Sequence, residues 1–293
     1  MTVYALCQGG LGNRLHCLNT SLAISKILDT NLVVCWPVTH ECGIAFRDVF
    51  DTDIEEIQAE DIRPTRGYVR IGLIPEHITD YPQFKQDAPI LLIPLTTSDQ
   101  FIKCFRNVDV YFSDHRDRPL SAMKEFLETF RFKAEHIRRA NEFVEANNPC
   151  ATLHIRGTDV PFVQTELDLL KTTEIQHMIL QRGKIVGNLF VCSDEKRYED
   201  ELVSYYHHSV VRQDKTYPSK RDDSLPFLTD KGEYNIMRTS HDVAEAIIDM
   251  LIMARTSQIY GSTYSSLARF AHFIYRYNNP EHTWASYDHI QHV

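Results

Sequence analysis

The chain has 293 residues, 43% hydrophobic and 24% charged, a globular composition long enough for two domains of ordinary size. A formal net charge of −9 argues against a broad nucleic-acid-binding face, while leaving room for a local basic pocket of two or three groups. No apolar run reaches the roughly 18–20 residues of a membrane span, and the opening residues lack the basic region and cleavage site of a signal peptide.

Val3–Leu6 is predicted as a first strand, ending in the loop Gly9-Gly10-Leu11-Gly12. A helix follows, with Leu15, Leu18, Leu22 and Ile27-Leu28 at roughly one-face spacing, and then a buried strand over Leu32–Cys35. Tyr68–Ile71, Ile90–Ile93 and Val108–Phe112 are further candidate strands. At Asp114–Pro119 the chain turns polar and a long helical stretch begins, Leu120 to about Asn147. The expected domains are therefore 1–118 and 119–293. The second half repeats the alternation: strand Ala151–Ile155, helix about Thr172–Arg182, strand Leu189–Cys192, a helix from about Asp194, and strand Val210–Val211. A polar loop over Asp214–Lys231 precedes helix Asp242–Arg255, strand Gln258–Tyr260 and a last helix near Ser265. Strands alternating with helices predict an α/β fold built on parallel sheets, with ligands at the carboxyl ends of the strands. The seven cysteines are an odd number, scattered among apolar residues and without a Cys-x-x-Cys pair. They read as free thiols in a reducing compartment, and a cytoplasmic location is the expectation.

Four clusters carry chemistry. The glycine loop lets backbone approach a ligand, and the helix N-terminus behind it favours negative charge. A dinucleotide fingerprint needs a third glycine where Leu15 stands, which disfavours a nicotinamide enzyme. Gly12, Asn13 and Arg14 lie at the strand's carboxyl end, and a tight turn without a ligand is the competing reading. In His154-Ile155-Arg156-Gly157-Thr158-Asp159, strand alternation puts His154 and Arg156 on one side. A guanidinium there can clamp a diphosphate with two parallel charge-assisted bonds; the alternative is an internal Arg156–Asp159 ion pair. In Gly261–Leu267 a strand ends and a helix opens with serines, which are favoured caps and offer an anion site. The last cluster pairs Cys192-Ser193-Asp194-Glu195 at a strand end with Asp249, which sits among Ile247, Ile248, Met250 and Leu251. A buried carboxylate there needs donors. The amide and amino edge of a purine supplies two, whereas an ordinary surface aspartate needs none.

In this order, over nearly the whole chain, the blocks resemble the fucosyltransferase superfamily of protein O-fucosyltransferases, α1,6-fucosyltransferases and rhizobial NodZ enzymes. Gly10-Leu11-Gly12-Asn13-Arg14, continuing through Ser21-Leu22-Ala23 to Leu32-Val33-Val34 and Trp36-Pro37, looks like the first βαβ unit of the protein O-fucosyltransferases. His154–Asp159 looks like the family's His-x-Arg-x-x-Asp signature, and Asp249 through Gly261 to Ser265-Ser266 matches its last signature in spacing and residue type. Stretches 40–120 and 200–235 do not align.

The resemblance implies a GT-B architecture, two Rossmann-like domains facing across a cleft, the first acceptor-side and the second binding the donor. It assigns the β-phosphate to Arg156 and the other phosphate oxygens to Ser265, Ser266 and their helix N-terminus. His154 and Asp249 would contact guanosine, with Asp249 on the guanine edge; Asp194 would lie near the nucleotide, and Asn13 near the reacting groups. The implied reaction is inverting, metal-independent transfer of fucose from GDP-fucose to a carbohydrate hydroxyl. No cofactor, divalent metal or nucleic acid takes part; a nucleotide sugar and a glycan acceptor are the expected partners. Asp51-Thr52-Asp53 spells an Asp-x-Asp metal pattern in a carboxylate-rich stretch, and no metal is assigned to it. Where many relatives have a second arginine, this chain has Gly157. Some relatives have a glutamate base where this chain has Gly10, so Glu166, Asp168 and Asp159 are the base candidates, with Glu166 the choice. The rival readings are a same-fold enzyme with another nucleotide-sugar donor, and a catalytically silent nucleotide- or glycan-binding module.

Overall fold

The computed structural model describes residues 2–27, 29–58, 61, 69–71, 90–92, 118–157, 168, 171, 188–206, 210–222, 224, 235–261, 265–279 and 285–286. The chain divides into two units, Met1–Thr39 with Ala45–Lys133, and His40–Ile44 with Ala134–Val293.

In the first unit, β1 (Thr2–Leu6) leads into α1 (Leu11–Ile27), and β2 (Asn31–Cys35) returns parallel to β1. Leu11, Leu15, Leu18 and Leu22 are buried at helical spacing and fix which stripe of α1 faces the core. Leu32, Val33, Val34 and Cys35 are buried without alternation, as a strand covered on both faces requires. Then come α2 (Phe46–Val49), β3 (Phe50–Asp51), β4 (Glu55–Ile57), β5 (Val69–Ile71), β6 (Ile90–Leu92), α3 (Arg118–Thr129) and β7 (Arg131–Phe132). Five parallel strands run β4-β2-β1-β6-β5.

The single helix expected over Leu120–Asn147 is instead α3, β7 and α4 (Ala134–Asn147). Phe126, Phe130 and Phe132 all join a buried aromatic cluster with Trp36, Phe46 and Phe50. Phe130 and Phe132 are two residues apart, a spacing that serves one face of an extended segment and not one face of a helix. β7 accordingly pairs antiparallel with β3, Phe132 opposite Phe50. Since α3 packs on α1 and β7 on β3, the chain divides at Lys133/Ala134 and not at the expected 118/119.

The second unit continues from α4 with β8 (Pro149–Ile155), β9 (Asn188–Ser193), α5 (Lys196–Tyr206), β10 (Val210–Val211), α6 (Ser240–Met253), β11 (Gln258–Gly261), α7 (Ser266–Asn278) and β12 (Ala285–Ser286). Its parallel strands run β10-β9-β8-β11-β12. Leu153, Ile155, Leu189 and Val191 pack with Tyr198 and Leu202 of α5. On the other face Phe190 meets Phe143 of α4, and α4 packs on α6. Both units are thus α/β with parallel sheets, as the alternating pattern predicts.

The excursion His40–Ile44 belongs to this second unit. Gly43 bridges to Thr239, and Arg238 N–H donates to His40 C=O at 2.8 Å. A Cβ on Gly43 would meet Arg238 O at 2.1 Å, so only glycine allows this backbone contact. The strand expected over Val108–Phe112 and the helix over Thr172–Arg182 lie outside the described residues. Among the described residues, no helix is long and apolar enough to cross a membrane.

Candidate active site

In the second sheet the strand order reverses at β8: β9 and β10 lie on one side, β11 and β12 on the other. The carboxyl ends of β8 and β11 flank that switch point, where doubly wound sheets bind ligands. His154, the penultimate residue of β8, is in register with Gly261 of β11. It is buried, with Nε2 2.8 Å from Ser265 Oγ and Nδ1 3.5 Å from Cys192 Sγ. Ser265 is the N-cap of α7 and accepts from Ala268 N–H at 3.3 Å, and Ser266 opens the helix. Arg156 follows β8 directly and is half-buried. Its charge is one of those acting on His154. Strand tip and serine-led helix start are therefore adjacent.

Burial pushes the His154 imidazole down to about 4; the Asp194 carboxylate opposes this, and the charges of Lys215 and Arg156 add to it. The unfolded chain takes up this proton near pH 6.5, so its contribution is complete above 6.5 and is lost as pH falls towards 4. Chemical denaturation at pH 5 is expected to give about 2 kcal/mol less stability from this group than at pH 7. His154→Gln should remove that share, and a pH slope identical in wild type and variant would mean that the folded imidazole is charged.

Asp194 follows β9 and ties the loop after β8 in place. Its Oδ1 accepts from Gly157 N–H at 2.6 Å, and its Oδ2 lies 3.4 Å from an Arg238 guanidinium nitrogen. Gly157 is buried against Tyr198, and a Cβ there would meet that ring at 2.4 Å. The lack of a second arginine thus has a steric counterpart: Tyr198 fills the space a side chain would take.

Behind β9 lies a buried polar cluster. Lys215, 4% exposed in its side chain, donates to Ser193 O at 2.9 Å, to Glu199 Oε1 at 2.8 Å and to Asp249 Oδ2 at 2.5 Å. Gln213 donates to Asp249 Oδ1 at 2.5 Å. Asp249 is a buried carboxylate with donors, and in the described chain two of them are protein groups. Nothing in the periodicity around Lys215 marks this partnership; the only trace is that Gln213 and Lys215 alternate after β10.

In the first unit, Gly12 and Asn13 lie in the first turn of α1, with the Asn13 amide folded over Gly9. Arg14, which the sequence groups with the ligand-facing residues, is fully buried. Nε donates to Gly9 O at 2.7 Å, one terminal nitrogen to Pro37 O at 2.7 Å and the other to Thr39 Oγ1 at 3.0 Å, with the guanidinium 5.0 Å over Trp36. It fastens the loop from inside, because these acceptors enclose it. The structure thus brings together His154, Arg156, Asp194, Ser265, Ser266 and Asp249 in one unit and Gly12, Asn13 and Arg14 in the other. Asp168 is exposed, and Glu166 and Asp159 lie outside the described residues. Asp51 of the Asp-x-Asp pattern pairs with Lys133. Arg238, Glu199, Gln213 and Lys215 are the groups sequence reasoning missed.

No family model and no curated protein matches the chain. Solved structures do. Fucosyltransferase NodZ from Bradyrhizobium is 14% identical with a TM-score of 0.54, over 92% of each chain. NodZ α-1,6-fucosyltransferase soaked with GDP-fucose is 14% identical with a TM-score of 0.54, over 93% of this chain and 92% of that one. A mutant of Arabidopsis thaliana FUT1 in complex with GDP is 13% identical with a TM-score of 0.55, over 94% of this chain and 68% of that one. At such identities the likeness establishes the fold alone: this chain has the α/β fold seen in these structures.

Proposed function

We propose that the chain is an inverting, metal-independent glycosyltransferase that moves fucose from GDP-fucose to a carbohydrate hydroxyl. The observation that carries this reading is the 2.8 Å bond from His154 to Ser265, which joins the strand tip bearing Arg156 to the capped start of α7. A diphosphate at that junction meets a guanidinium on one side and the N-terminal turn of α7 on the other. The second unit is then the donor domain and the first the acceptor-side domain. The acceptor oxygen attacks the anomeric carbon, the bond to the diphosphate breaks, and its electron pair leaves with GDP. Arg156 balances the charge that grows on the departing phosphate, the service a divalent ion renders elsewhere. Asn13 attends the reacting groups, Gly12 and the buried Arg14 shape the loop around them, and Glu166 takes the acceptor proton. Six described cysteines, all free, suit a cytoplasmic setting.

Thermal-shift ranking of nucleotides tests the donor class. GDP at 100-fold over its Kd is expected to stabilise by about 2.7 kcal/mol, with UDP and ADP well below it at equal concentration. GDP release from GDP-fucose across a glycan panel then tests turnover. UDP stabilising as strongly as GDP would move the protein to another donor, and GDP binding without turnover on any acceptor would make it a binding module.

A further inference from the structure

Lys215 has no role in the mechanism above, yet its ammonium is buried and fully committed. All three donors of its ammonium are used, on the end of β9 (Ser193 O), on α5 (Glu199) and on α6 (Asp249). Burial works against its charge, but Asp249 and Glu199 outweigh that and hold it protonated well above its ordinary value. Two carboxylates face one ammonium here, and burial raises the Glu199 carboxyl above its ordinary value. Glu199 is otherwise satisfied, by Ser193 N–H at 2.7 Å and the Tyr217 hydroxyl at 2.5 Å. The surplus acceptor capacity therefore falls on Asp249. Gln213 and Lys215 each take one lone pair of its carboxylate, and a carboxylate offers about four. Two donors side by side complete it. A guanine presents such a pair, a ring N–H beside an exocyclic amine; adenine sets an acceptor beside its amine, and uracil flanks its N–H with carbonyls.

We infer that Lys215 is a positioning residue, holding the Asp249 carboxylate oriented so that the guanine preference of the donor site depends on it. The inference rests on the GDP-fucose reading and deepens it. Calorimetric titration with GDP and with IDP, whose base lacks only the 2-amino group, tests it on wild type, Glu199→Gln, Lys215→Met and the double variant. Wild type is expected to favour GDP over IDP by about 10- to 100-fold, the worth of one buried charge-assisted hydrogen bond. Glu199→Gln should keep that preference, because the Lys215–Asp249 pair remains. Lys215→Met should bring it within about threefold, with IDP affinity falling less than GDP affinity because its base has only the ring N–H to lose. That single substitution strands two buried carboxylates and endangers folding; the double variant neutralises one of them and keeps the test open. Equal losses of GDP and IDP affinity in a folded Lys215→Met protein, single or double, overturn the inference by reducing Lys215 to general support. Wild type that prefers GDP to UDP and ADP yet binds IDP equally overturns it alone. Wild type with no preference for GDP over UDP and ADP overturns the donor reading, and the inference with it.

Discussion

Arg156→Ala is expected to lower kcat with GDP-fucose by about 10²- to 10³-fold, the usual cost of removing one preorganised group aimed at developing charge. Arg156 leaves the sheet at the end of β8, and Asp194 fixes the next residue through the Gly157 N–H, so the guanidinium starts from an anchored backbone. The neighbouring His154 is neutral because it is buried, which leaves Arg156 to supply the positive charge at that strand tip. Charge accumulates on the leaving phosphate only as the sugar bond breaks, so the loss belongs in kcat more than in KM. Arg156→Lys keeps the charge but not the planar fork, and an intermediate loss is expected. Thermal unfolding of both variants should stay within about 2 °C of wild type, since the side chain is half-buried at a strand exit. An unchanged kcat in Arg156→Ala would remove the residue from the chemistry.

Arg14→Met should strike stability, by about 3–5 kcal/mol. Gly9 O, Pro37 O and Thr39 Oγ1 converge on one guanidinium with no exposed surface. Methionine fills much of the volume but donates nothing, so these buried acceptors lose their partner at about 1–3 kcal/mol each, partly relieved by relaxation. The contact with Trp36 goes as well. The unfolding midpoint should fall by about 10 °C, measured by calorimetry. Arg14→Lys should recover little, because a single ammonium cannot span a loop carbonyl and the two groups beyond β2. A loss below about 1 kcal/mol would mean that the loop holds its shape without these bonds.

These two arginines also mark how far the sequence carries. Arg156 stands two residues after a histidine at the end of an apolar run, and strand alternation alone gives its position. Arg14 stands one residue past the last loop-side polar group, and nothing local distinguishes a guanidinium facing a ligand from one turned inward. Its acceptors at Pro37 and Thr39 become neighbours only once β2 has paired with β1. The same holds for Asp249: its mid-helix setting among apolar residues announces a need for donors, while the identity of those donors depends on where the segment after β10 is laid. The cap of α7 was legible because capping is local, and the break at Phe130–Phe132 was hidden because it answers to an aromatic cluster assembled from distant segments.

The excursion His40–Ile44 has a consequence for biosynthesis. A ribosome delivers this stretch about 200 residues before Arg238 and Thr239, its backbone partners. At ordinary elongation rates that is a wait of about 10–40 s, during which Gly43 and His40 have nothing to pair with. Neither half of the polypeptide can then mature as a clean vectorial unit, and cutting the gene at 133/134 would strand five residues on the wrong product.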